Sequence, residues 1–373
     1  MSLVAIKSAI DTLSAPTISF TILTVLFPFF FPPSDWFEKI HRKLGFWRLW
    51  TKAGGITGLV FITSFFVIGY YDKNFNITLT KADNFPIVLM IYSMFFFIWL
   101  GMYKAYRNDI RIDQGLKPEE YNDPDDKVLV WPDLVYIEFI ALILFQVFLI
   151  VWSILVAAPI EEPANPASTP NPSKAPWYFL GLQEMLVYYD PWIAGVLLPT
   201  MIIVGLMAIP YMDINKKGDG YYSFKERRVG MFIFMYGWVV LWLFLIVIGT
   251  FFRGPNWNFF GPFEYWDIHK VEALTNVNLS ELLWVKLLNQ GLPSNIFIRE
   301  SVGFLSVSFY LFVLPVILAK TVLKDMYEAY GPTRYTSLMV FGLVMLALPI
   351  KMYLRWMINL KYIIAIPEWF FNI

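Results

Sequence analysis

Eight apolar runs dominate this chain of 373 residues, near 16–33, 53–71, 85–103, 130–158, 192–211, 230–252, 301–320 and 336–350. About 20 apolar residues cross a bilayer as a helix, and a helix is one of the few structures that satisfies its own backbone in hydrocarbon. So many runs leave little room for a soluble fold. The expected class is all-α, a polytopic membrane protein with about eight transmembrane helices. Many Trp and Tyr fall at run ends, as interfacial belts require. The first run is the weakest, because it is short and ends in Phe31-Pro32-Pro33. The last meets Pro349 and then Lys351 and Arg355, which predicts a span ending there with an amphipathic interfacial piece beyond.

Positive charge sets the expected orientation. The links 34–52, 104–129 and 212–229 are rich in Lys and Arg, and they alternate with links that are poor in both. The basic links are therefore expected in the cytoplasm. The 161–191 and 253–300 links and both termini are expected on the outer, positive side of an energised membrane, such as a bacterial inner membrane. The N-terminus lacks the charged start, short core and small-residue cleavage pattern of a signal peptide.

Composition excludes several functions. Net charge is zero, with no basic surface for nucleic acid. No Cys is present, which removes thiolate metal sites and iron–sulfur ligation from this chain. A membrane b-type haem needs two facing axial ligands. The two His, His41 and His269, fall in links on opposite sides, as interfacial or surface residues. No P-loop, dinucleotide fingerprint or hydrolase triad is readable, and the Gly54-Gly55 pair carries little weight.

The link from Glu161 is unusual in so apolar a chain. A Pro-rich polar stretch leads into Trp177-Tyr178-Phe179, then a short amphipathic helix expected over 176–189, then the next span after Asp190-Pro191. Binding groups concentrate on loops held by a rigid scaffold.

Residues from about Lys127 to Phe252 resemble subunit IV of chloroplast-type cytochrome bf complexes, the counterpart of the C-terminal part of cytochrome b. The likeness rests on Trp131-Pro132-Asp133-Leu134-Val135-Tyr136 opening a span, Glu162-Pro163-Ala164-Asn165-Pro166 and Thr169-Pro170 after it, Trp177-Tyr178-Phe179 at the family's Pro-Glu-Trp-Tyr motif, and Ile209-Pro210-Tyr211 closing the next span. The chain is similar to enlarged bacterial members of that family. The resemblance divides it into N-terminal helices and connector (1–126), the subunit IV-like core (127–252), and an outward loop with two further helices (253–373).

The resemblance implies a haem-free subunit of a bc-type quinol:cytochrome c oxidoreductase that forms part of an outward quinol oxidation site and releases protons outward. It implies a haem-bearing cytochrome b, a Rieske iron–sulfur protein and a c-type cytochrome as partners, in a dimeric complex. Pro176, Trp177, Tyr178 and Phe179 would then line the quinol pocket. Pro176 stands where the family has its proton-accepting Glu, and proline cannot titrate. Glu184 is the leading substitute, because a membrane-edge carboxylate has the raised pKa suited to a base. Its other reading is an interfacial Glu or one paired with a partner Arg. Glu161, Glu162 and Glu138 are candidates for a proton path, with a solvated acidic link or helix packing as the other reading. Gln146 is expected to bond between helices. The C-terminal Pro367-Glu368-Trp369-Phe370 imitates the motif without its flanking link and helix, and is taken as coincidence. The 253–300 link is either a docking surface for an extrinsic subunit or a cap over helix ends. Two further readings stay open: a non-catalytic scaffold with a decayed quinol pocket, and a membrane transporter. The transporter is disfavoured by the lack of an inverted repeat.

Overall fold

The computed structural model describes residues 3–81, 84–122, 129–156, 163, 165–214, 220–272 and 275–373. Among them the chain is helical nearly throughout. Seven helices are long and apolar enough to span a membrane: α4 (Lys52–Tyr70), α6 (Phe85–Asp113), α7 (Val130–Leu155), α9 (Ile193–Met212), α10 (Phe224–Phe252), α13 (Ser301–Lys320) and α14 (Lys324–Ile358). The weak first run is a broken pair, α1 (Leu3–Ser14) and α2 (Pro16–Phe30), bent by 74°. Pro16 sits in the first turn of α2, where its missing N–H is harmless, so the chain turns at Ala15 and restarts.

Short helices fill the links: α3 (Asp35–Lys43), α5 (Lys73–Leu79), α8 (Leu180–Met185), α11 (279–287) and α12 (Ile296–Arg299). Their starts are capped as the sequence dictates. Asp72 accepts from the Asn74 and Phe75 amides at 3.0 Å, and Asn278 and Glu281 form a capping box. The glycines at the start of α4 serve packing. A Cβ on Gly55 would run into the Trp99 ring and one on Gly58 into the Phe95 ring of α6, so the two helices approach closely through small residues.

One aromatic core ties the termini to the centre. Phe20 of α2 is fully buried against Phe244 of α10 and Tyr353 and Trp356 of α14, with ring centroids 5.2–5.8 Å apart. The N-terminal and C-terminal helices thus pack on α10, not on each other's flanks alone.

The basic links gather at one end of the bundle. Arg228 pairs with Asp35 and Glu38, and Asp109 accepts from the Ser223 hydroxyl at 2.6 Å and the Phe224 amide at 3.1 Å. His41 lies at this end but is buried, with Nδ1 at 2.7 Å from the Phe29 carbonyl, and not at the surface as expected. At the other end sit the described part of the Pro-rich link, the 253–272 loop with exposed His269, α1 and the C-terminal tail. There Asp11 of α1 accepts from the Phe263 amide at 2.8 Å.

The expected stop at Pro349 is corrected: α14 continues to Ile358. Its irregularity lies instead at Gly331, whose φ of 74° is open to glycine, directly before Pro332. Lys351 and Arg355 do not form the polar side of an exposed amphipathic piece. Both are buried, Lys351 Nζ donating to the Lys361 carbonyl at 2.7 Å and Arg355 to the Asn359 carbonyl at 3.1 Å. The tail then turns through Asn359 and folds back. β2 (Leu360–Tyr362) pairs in parallel with β1 (Val277–Asn278), and β3 (Ala365–Ile366) pairs antiparallel with β4 (Phe371–Asn372).

Lys361 holds this tail to the end of α8. Its Nζ donates to the Leu186 and Val187 carbonyls at 2.7 and 3.2 Å, helix-end groups that lack intrahelical partners. Burial, then Arg355, pushes its ammonium down from 10.5 to about 8, against the pull of Asp190. The folded protein therefore releases this proton before the unfolded chain does. Below about 8 the penalty of the buried charge is present in full, and stability rises as pH climbs from about 8 towards 10.5. In detergent the thermal midpoint should rise across that window, and the Lys361→Met variant should lose that part of the rise. Identical pH profiles for the two proteins would contradict it.

Candidate functional site

The polar link is fastened down before it reaches Trp177. Asn171 and Asn256 exchange hydrogen bonds at 2.9 and 2.6 Å. Lys174 donates to the Thr250 carbonyl at 2.6 Å and lies over the Trp266 ring. The Gln183 side chain closes a loop, accepting from the Ala175 amide at 2.8 Å and donating to the Ser173 carbonyl at 2.9 Å. Trp177, Tyr178 and Phe179 then form a single 3-10 turn leading into α8. Gly181 and Gly249 let α8 lie close on α10, a Cβ at either meeting Ile246 or the Leu180 carbonyl at 3.2 Å.

The aromatic turn divides by role. Trp177 is half-buried and packs against the buried cluster that contains Leu180, Ile246 and Phe251. Tyr178 and Phe179 are each 50% exposed, with ring centroids 4.6 Å apart, beside exposed Pro176. They form an open aromatic face that can stack a flat ring on one side only. Enclosing such a ring needs a second surface.

Glu184 sits beneath this turn and is fully buried. Its carboxylate accepts four hydrogen bonds: from Arg253 Nη2 at 2.6 Å, Arg253 Nε at 2.9 Å, Trp257 Nε1 at 3.1 Å and the Tyr188 hydroxyl at 3.2 Å. Arg253 also donates to the Trp257 carbonyl at 3.0 Å. Burial opposes the charge of Arg253, but the Glu184 carboxylate outweighs it and holds the guanidinium above its ordinary value. Burial, and then Glu184, raise the Tyr188 phenol well above its usual range. The two-point Arg–carboxylate fork thus bolts the start of the 253–263 loop to α8.

The structure brings Pro176, Trp177, Tyr178, Phe179 and Glu184 together on one segment. It leaves Glu138 exposed on α7, a helix with no buried residue. Glu161 and Glu162 lie outside the described residues. Arg253, Trp257 and Tyr188 went unread in the sequence. The available signal was an Arg closing an apolar run, with Glu184 the lone carboxylate between Pro163 and Tyr189 to neutralise it. The Pro367-Glu368-Trp369-Phe370 motif forms the tip of the C-terminal hairpin, where Arg299 grips Glu368 at 2.9 and 3.0 Å. Among the described residues no three His, Cys, Asp or Glu side chains gather to hold a metal.

Fold and site together define an all-α polytopic membrane protein with an aromatic face at one end of its bundle. Residues 163–263 match the family model described as Cytochrome b(C-terminal)/b6/petD. The match starts after α7, later than the motif likeness, and runs past α10 to take in Arg253 and Trp257. It covers less than a third of the chain. No solved structure matches the chain.

Proposed function

We propose that this chain is a membrane subunit of a cytochrome bc/b6f-type complex and supplies one wall of a quinol oxidation site. The reading is carried by one observation: the open Tyr178–Phe179 face lies inside the segment that matches the cytochrome b C-terminal family. Stacking on those rings would hold the quinol head, while a haem-bearing cytochrome b would close the site from the other side. α7 supports the need for such a partner. None of its residues is buried, and Glu138 on it is a carboxylate that a lipid-facing helix does not keep without one. Electrons would pass to partner b haems and a Rieske cluster, and protons would leave at the end carrying α1 and the C-terminal tail, assigned here to the outer side. The proton acceptor is Glu184 only if its Arg253 pair opens during turnover. Glu138, Glu161 and Glu162 remain proposed members of a proton path.

The scaffold reading has its own support, in Pro176 at the motif position and in a Glu184 whose oxygens are already engaged. Purification of the chain in mild detergent, with a quinol-reduced-minus-oxidised spectrum of what accompanies it, separates the two. A b-haem band that develops with quinol is the expected result. A preparation without haem, or with haem that quinol leaves oxidised, overturns the quinol-oxidising assignment.

A further inference from the structure

The 282–298 stretch lies outside the family match and carries a surface that the quinol reading leaves unexplained. It holds a single charged residue, Lys286. Several of its large apolar side chains point away from the protein, with Leu287 74% and Phe297 71% exposed, while Leu282, Leu283, Trp284 and Ile296 are partly covered. The hairpin tip beside it is similar, with Trp369 70% and Phe370 88% exposed. The two pieces form one rigid rim. Arg299 joins them through its fork to Glu368 at 2.9 and 3.0 Å, and buried Glu300 accepts from the Ala365 amide at 3.0 Å. Trp284 Nε1 anchors α11 to the Arg299 carbonyl at 3.1 Å.

We propose that this rim is a monotopic interfacial anchor that lies in the lipid headgroup layer at the terminus-bearing end of the bundle. The expected alternative, a docking face for an extrinsic subunit, fits poorly. A water-facing docking site has a polar rim around its apolar centre, whereas here, Lys286 apart, the exposed polar side chains Asn289, Gln290, Ser294 and Asn295 are confined to the connection between α11 and α12. The depth argument is continuity with the spanning surface. α13 begins two residues after Arg299, and Phe297 stacks on Phe304 of that span at 6.3 Å. A ring one step outside a span lies at the boundary where aromatic side chains collect. Apolar residues around one lysine then match an interfacial helix, whose cation reaches the phosphates while its apolar face enters the acyl boundary.

The absence of cysteine makes the test direct. Leu287→Cys, Phe297→Cys and Trp369→Cys variants of the full chain are spin-labelled in nanodiscs of phosphatidylcholine and phosphatidylglycerol. Collision with oxygen, which concentrates in lipid, is compared with collision with a water-soluble nickel chelate. Leu305→Cys on the α13 surface and Tyr265→Cys on the 253–272 loop serve as references. Oxygen-favoured collision at all three sites, as at Leu305, is the expected result. Chelate-favoured collision, as at Tyr265, overturns the anchor. So does shielding from both reagents in the purified native complex, since a protein partner would then cover the rim.

Discussion

Replacing Glu184 with leucine is expected to lower folding stability by about 3–5 kcal/mol, because it strands the Arg253 charge in a site with no other carboxylate in contact among the described residues. Arg253→Leu should be similarly damaging, since it orphans Glu184 and frees the Trp257 carbonyl. The double variant should recover much of the loss, because two apolar side chains can replace a buried ion pair at little net cost. Thermal unfolding in detergent reads this directly. The same series decides what Glu184 does in turnover. If it only fastens the 253–263 loop beneath the aromatic turn, quinol oxidation recovers along with stability in the double variant. If it accepts a quinol proton, stability returns and turnover does not. Three variants of equal stability would show that the pair fastens nothing.

The spans were legible because crossing a bilayer is a demand of length and composition, and both are local. The gathering of the basic links at one end of the bundle was legible for the same reason, as charge sits in links of fixed order. The break at Ala15 and the course of α14 were less so. Proline removes one N–H, which suggested an end at Pro349. The helix instead runs through it to Ile358, where Lys351 and Arg355 bond to carbonyls at and beyond the helix end, and nothing in the local pattern announces the fold-back of the tail. The site shows the same division. Trp177, Tyr178 and Phe179 are consecutive, so a motif reads them at once. Glu184 and Arg253 are 69 residues apart, and only packing of α8 on α10 joins them. The sequence alone leaves Glu184 as a membrane-edge base, an interfacial Glu or one paired with a partner's Arg; the structure supplies the Arg from within this chain, and a buried carboxylate persists by virtue of such a partner. Gly54 and Gly55 carried little meaning as a phosphate-loop signal, yet Gly55 sets how closely α4 approaches α6.

Tyr178→Ala is expected to lower kcat/KM for quinol by about ten- to a hundredfold while the complex assembles normally. The magnitude follows from the ring: covering an aromatic side chain with a ligand is worth roughly 1.5–3 kcal/mol, and each 1.4 kcal/mol is about a factor of ten. Assembly should survive because half of Tyr178 already faces outward, and truncation of an exposed side chain changes stability by no more than about 0.5 kcal/mol. Trp177 is the contrasting position. It packs against the buried cluster that contains Leu180, Ile246 and Phe251, so Trp177→Ala should reduce stability as well as turnover. Tyr178→Phe keeps the stacking surface and removes only the hydroxyl. Near-normal kcat/KM in that variant would assign the effect to the ring, and a loss equal to that of alanine would assign it to the hydroxyl as a hydrogen-bonding or proton-transfer group. Haem content and subunit stoichiometry check assembly alongside the kinetics. An intact complex with unchanged kcat/KM in Tyr178→Ala would remove this face from the quinol site and leave the chain its scaffolding role.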